Sequence, residues 1–266
     1  MWRSERRWLL LCLLALADMA GAQPMPGRVI DLATGQALDE AGFTQRVAGA
    51  QRVLLGERHD VEADHAAQRW LLAALQRQRP QGALVLEMIA QERQARLQRV
   101  QRWLAKGNRA DGSRLQELLG WDSRWPWQAY GGLVQDACAA GIALHGGNLS
   151  RAEVDALLAS AEPVRFPVAD ARQRLSAVVL AQHAGAAPML EGMLAVQQAR
   201  DTRMAQVLAT SPAPALLVAG RWHVLRGTGV PGYLPPATPA LVIALAAPGE
   251  ALDVGDADLL WVTADE

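Results

Sequence analysis

Val53-Leu54-Leu55-Gly56-Glu57-Arg58-His59 and Ala215-Leu216-Leu217-Val218-Ala219-Gly220-Arg221-Trp222-His223 share one pattern, an apolar run that stops at G-x-x-H. A short apolar run of this kind, bounded by glycine, reads as a buried strand. The histidine then sits just past the strand's C-terminal end. In open parallel sheets that rim is where ligands bind, so the two imidazoles can share one pocket if their strands are neighbours.

Further strands extend the pattern. Ala83-Leu84-Val85-Leu86-Glu87 and Ile142-Ala143-Leu144-His145 end in a charged or polar residue, and residues 240–246 and 259–262 add two more apolar runs. Arg28-Val29-Ile30-Asp31-Leu32 with Thr34-Gly35-Gln36 reads as a hairpin or edge strand, and Asp39 as the cap of a helix ending near Gly49. Helical periodicity covers residues 63–78, 89–105, 127–140, 151–158, 170–181 and 190–209. Alternation of strands and helices predicts an α/β fold with a mostly parallel central sheet. Residues 150–210 carry helices without a strand, which predicts a smaller helical lobe over the functional edge.

The N-terminus has a different character. Arg3, Arg6 and Arg7 precede an apolar run from Trp8 to Ala17, and Ala20-Gly21-Ala22 fits a cleavage site. Residues 1–22 therefore read as a secretory signal peptide, and residues 23–266 as one exported α/β domain, periplasmic or attached to the envelope. Lipid anchoring at Cys12 is the weaker reading, since Leu11 is large and the apolar run continues beyond it. Cys138 is the only cysteine after residue 22, so the expected domain has no disulfide and relies on its core. With 23 basic and 25 acidic residues, that domain offers no charge balance for nucleic acid.

Glu57, His59, Glu87 and His223 all end apolar runs, which sets them apart from core fillers. Two imidazoles and two carboxylates suit a divalent metal or a metal-activated water, although the H-E-x-x-H spacing is absent. No G-x-S-x-G elbow or phosphate loop is present. His65 stands close enough to His59 to enter the same pocket, whereas His183 lies in a small-residue turn. Met189, Met193 and Met204 read as core or as a soft wall around a flat apolar cofactor. Trp121, Trp125, Trp127 and Tyr130 share that ambiguity. Arg200-Asp201 reads as a solvated pair, or Arg200 as a ligand for a carboxylate such as a propionate.

In order along the chain, Gly56-Glu57-Arg58-His59-Asp60 with His65 and Gln68, Leu86-Glu87-Met88 with Gln91, and Tyr130 resemble the ChaN-like haem-binding proteins. His183, Pro188, Met193, residues 197–205, Gly220-Arg221-Trp222-His223 and residues 229–234 continue the resemblance, which spans residues 53–234. That family is grouped with the Tiki and erythromycin esterase-like proteins. The resemblance implies haem binding tied to iron acquisition, an outer-membrane haem uptake system as partner, and haem held between the two protomers of a homodimer. His59, His65, Glu87, Tyr130, His183, Met193, Arg200, His223 and Tyr233 are the residues expected to contact it, with Tyr130, Tyr233, His183 and Met193 as the iron ligands to test. The sequence departs from the family pattern at Arg221-Trp222, His145 and Ala184. Two alternatives stand beside it: a metal-dependent hydrolase using Glu57, His59, Glu87 and His223, and an assembly partner in which this polar set only stiffens loops.

Overall fold

The computed structural model describes residues 24–159, 163–183 and 185–264. The expected signal peptide, Cys12 and Ala184 lie outside them. Strands β1 (Arg28–Asp31), β2 (Ala37–Leu38), β3 (Arg52–Glu57), β4 (Ala83–Ala90), β5 (Ala143–Asn148), β6 (Ala215–Gly220), β7 (Leu241–Ala246) and β8 (Leu259–Val262) form one sheet. Its order is β2-β1-β8-β7-β3-β6-β4-β5. From β8 to β5 neighbouring strands are parallel, and β1 and β2 join antiparallel at one edge. The fold is therefore α/β with a mostly parallel sheet. The Arg28 strand pairs with the short β2 on one side and with β8 on the other.

Successive residues of the central strands feed opposite faces, as the pleat requires. Val53 and Leu55, Leu84 and Leu86, and Leu216 and Val218 pack into one core, while Leu54, Val85 and Leu217 enter the other. Helices α1 (Glu40–Ala48), α2 (Glu62–Gln78), α3 (Gln94–Ala105), α4 (Gly112–Leu119) and α5 (Trp127–Ala139) contribute to the first core. Asp39 caps α1, its carboxylate accepting from the Gly42 amide at 2.8 Å. Helices α6 (Arg151–Ala159), α7 (Ala171–Gln182) and α8 (Leu190–Thr210) follow β5 without an intervening strand, and α6 and α7 each pack on α8. The C-terminal half of α8, with Met204 and Leu208, seals the second core.

The chain order explains where a site can form. From β3 the chain crosses outward to β4 and β5, returns to insert β6 between β3 and β4, and then continues on the far side of β3 with β7 and β8. Such a reversal opens a crevice at the strands' C-terminal ends. Both G-x-x-H segments end at that crevice, because β3 and β6 pair directly, with Glu57 opposite Gly220.

Three expectations need correction. His145 does not end its strand: β5 runs on through Gly146 and Gly147 to Asn148, leaving His145 half-buried in mid-strand. A Cβ at Gly146 would lie 2.6 Å from the Ala90 carbonyl oxygen, and one at Gly147 2.9 Å from Met204 Cγ. Those glycines mark close approach rather than a chain break. The methionines do not form one wall, because Met189 is exposed, Met193 faces the cavity described below and Met204 is buried against the sheet. Arg200 and Asp201 are not a solvated pair, since Asp201 is fully buried and engages His223.

Candidate functional site

The glycine of each G-x-x-H segment makes room for the other segment. After β6 the chain turns at once into a one-turn helix, α9 (Arg221–Val224). A Cβ on Gly56 would come within 2.2 Å of Val224 Cγ2 and 2.9 Å of Arg221 Cα. A Cβ on Gly220 would come within 2.8 Å of His59 Nε2. Only glycine at both positions lets the two strand ends lie this close.

Glu57 is the centre of the first cluster. Its Oε1 lies 2.5 Å from His59 Nδ1 and accepts from the Tyr130 hydroxyl at 2.8 Å. Its Oε2 accepts from Gln68 Nε2 at 2.8 Å, with His65 Nε2 at 3.3 Å. Burial opposes the charge on Glu57, but the hydrogen bonds from His59, His65 and Tyr130 outweigh it and hold its pKa below the usual value. Burial also opposes a charged His59, yet Glu57, followed by the charge of Glu87, raises its pKa. The His59 side chain remains 40% exposed, and its ring meets Trp125 edge-on.

Glu87 is the centre of the second cluster. The register of β4 against β5 shifts between Leu86 and Ala90, so the strand is irregular where Glu87 leaves it. Glu87 Oε2 accepts from the Gly220 amide at 2.8 Å, and Oε1 lies 3.3 Å from His223 Nε2. His223 Nδ1 meets Asp201 Oδ1 of α8 at 2.6 Å. Burial disfavours the imidazolium, but Glu87 and then Asp201 push its pKa up to about 10. Burial pushes Asp201 up to about 6 against the pull of His223. Glu87, opposed by burial but facing His223, stays well below the usual carboxylate range. His223 thus carries a buried positive charge between two acids, joining the helical lobe to the sheet.

Above both clusters is a cavity of about 880 Å³, within the size range of small-molecule and cofactor sites. Its sheet side presents Glu57, His59, Glu87, Gly220 and His223. The lobe side presents apolar residues of α6, α7 and α8, among them Leu158, Val178, Val179 and Val196, together with Met193, His183 and Arg200. Trp125, Trp222, Arg58, Asp60 and Arg221 also line it. Of the residues expected from sequence, Glu57, His59, Glu87, His183, Met193, Arg200 and His223 are brought together here. His65 and Tyr130 stand behind Glu57, off the cavity wall.

Neither tyrosine offers a hydroxyl to the cavity. Tyr130 is fully buried, and burial with the charge of Glu57 holds its hydroxyl protonated far above the usual range. Tyr233 packs on the second core away from the cavity wall, and burial raises its hydroxyl pKa as well. Among the described residues, no group of three or more His, Cys, Asp or Glu side chains has the geometry to hold a metal ion.

Sequence reasoning missed Asp201 as the partner of His223. A signal was available: Leu194, Asp201 and Leu208 are spaced by seven, so the acid sits on a buried helical stripe. Arg221 and Trp222, where the sequence departs from the family pattern, line the cavity.

The sheet is covered on both faces, and its polar strand-end cluster faces an apolar helical lobe across a cavity. The sequence model of the family described as haem-binding uptake, Tiki superfamily, ChaN matches residues 43–234, and the chain belongs to that family. The structure of ChaN of Campylobacter jejuni, which concerns cofacial haem binding to that protein, superposes with a TM-score of 0.79 at 24% identity. The match covers 88% of this chain and 96% of that one. An erythromycin esterase, EreC, in its open conformation matches with a TM-score of 0.48 at 18% identity, covering 86% of this chain and 81% of that one. No curated protein matches the chain.

Proposed function

We propose that this chain is an exported haem-binding protein of haem or iron uptake, and that haem lies in the rim cavity. The residues present fit the group: an apolar lobe wall suits a porphyrin face, and the exposed His59 ring stands opposite with Glu57 behind its Nδ1. That pairing is the observation that carries the reading. A histidine that ligates a metal characteristically gives its other ring nitrogen to a carboxylate, which fixes the ring and raises its basicity. Bound haem would supply an iron open to an axial imidazole or thioether.

His59 is the ligand this geometry favours, with His183 and Met193 on the lobe as the other donors at the cavity. Tyr130 is not favoured, because its hydroxyl is committed to Glu57. Apolar burial against the lobe would supply most of the affinity, at roughly 25 cal/mol per Å². We extend cofacial haem binding, described for the Campylobacter protein, to this chain, and propose that two copies close over haem, as the family resemblance implies.

A hemin titration of residues 23–266 tests the proposal. A saturable Soret band and quenching of tryptophan fluorescence are expected, since Trp125 and Trp222 line the cavity. Absence of both would end the haem reading.

Hydrolysis at the same rim is a second reading, favoured by one observation. Glu57 and His59 have the geometry of an oriented general base. Turnover that survives a chelator but is lost in His59→Ala would favour it over the metal-dependent form.

A further inference from the structure

We infer that Arg200 is the carboxylate-recognising residue of the cavity, so that the ligand binds through an acid group and not through its apolar face alone. The inference rests on the haem reading and deepens it, because haem carries two propionates on one edge.

Most of the cations at the cavity are already engaged. Arg58 is held by Asp64 at 2.8 Å, and Arg221 by Glu250 at 2.5 Å. His223 is enclosed by Asp201 and Glu87. The Arg200 side chain has no ion pair or hydrogen bond among the described residues, although its Nε is buried. Asp201, next to it on α8, is turned toward His223, so the helix itself supplies no partner. Glu87 feels the Arg200 charge, but its two oxygens are occupied by Gly220 and His223.

A buried donor with no acceptor is costly, and structures satisfy such groups with few exceptions. A guanidinium presents a planar fork of N–H donors that matches a carboxylate, which a lysine ammonium does not. Arg200 is itself one of the residues that line the cavity, so an acceptor brought by a ligand there is within its reach. A ligand bringing its own carboxylate would complete the arginine at the cavity that is left without a partner among the described residues. Met193, Val178 and Val179 on the same wall would meet the ligand's apolar body.

A two-by-two comparison tests this: the protein of residues 23–266 and its Arg200→Gln variant, each titrated with hemin and with hemin dimethyl ester. The ester keeps iron and ring but removes both acids. Unmodified protein should bind hemin at least tenfold more tightly than the ester. Arg200→Gln should lower hemin affinity to the level of the ester and leave the ester unchanged, with Arg200→Lys intermediate. The unliganded Arg200→Gln variant should unfold at the same temperature as the parent, which separates recognition from a structural role. Equal affinity for acid and ester in the parent, or equal weakening of both in Arg200→Gln, would overturn the inference while leaving haem binding intact. If the parent binds neither compound, the haem reading itself fails and the inference falls with it.

Discussion

His59 and His223 close the same four-residue phrase on adjacent parallel strands, yet the structure gives them opposite environments. The His59 side chain is 40% exposed with one ring nitrogen on Glu57; that of His223 is 7% exposed with both nitrogens on acids. What differs is the chain that follows. After β3 it runs as a loop into α2, leaving His59 on the cavity wall. After β6 it coils at once into α9, which turns His223 beneath α8. Equal motifs therefore mark equal positions on a sheet, not equal roles: both imidazoles line the cavity, but His59 is open to it whereas His223 is buried and fastens the lobe.

The largest effect should come from breaking the fastening. His223→Ala leaves Asp201 and Glu87 buried without their cation, which costs about 3–5 kcal/mol. Urea unfolding should show it as a lower midpoint. An unchanged midpoint would mean that the lobe is held by apolar packing alone.

The same cluster predicts a pH dependence with a definite sign. The folded pKa of His223 is raised from 6.5 to about 10, so its contribution is complete below pH 6.5. It is then lost as pH climbs toward 10, a fall on the order of a few kcal/mol. Asp201, raised by burial to about 6, acts earlier: it favours the fold while protonated, and that help fades as pH rises from about 4 to 6. Stability measured from pH 6.5 to 10 should decline in the parent and stay nearly flat in His223→Gln. Parallel curves would remove His223 as the source.

Gly220→Ala probes the contact between the two motifs. Its backbone conformation tolerates a side chain, but the new Cβ would press on the His59 ring. Overpacking of this kind costs about 1–3 kcal/mol. The displaced ring should also weaken hemin binding, which a purely structural clash at a distance from the ligand would not do.

Much of this arrangement was legible in the sequence, for identifiable reasons. Apolar runs stopped by G-x-x-H placed both histidines at strand ends, and periodicity located the lobe helices close to their observed limits. Helix α4 was not visible, because eight residues with two buried leucines make a weak periodic signal. Its markers were an Asp111 cap and a left-handed Gly120, both easily read as loop. The role of Asp201 was hidden because its partner is 22 residues away on another element. The tyrosines were ligand candidates through the family resemblance; the burial of Tyr130 and its bond to Glu57 are tertiary properties that no motif displays.

The most direct test of the account is the Soret spectrum of His59→Ala during a hemin titration, read beside that of the parent. Glu57 keeps its bonds to Tyr130 and Gln68 in that variant, so the fold should lose about 1.5–3 kcal/mol, the worth of one hydrogen bond to a charged group, and stay folded. The account predicts a shifted or strongly weakened band on an intact fold. A band of the same position and affinity in both proteins would contradict it.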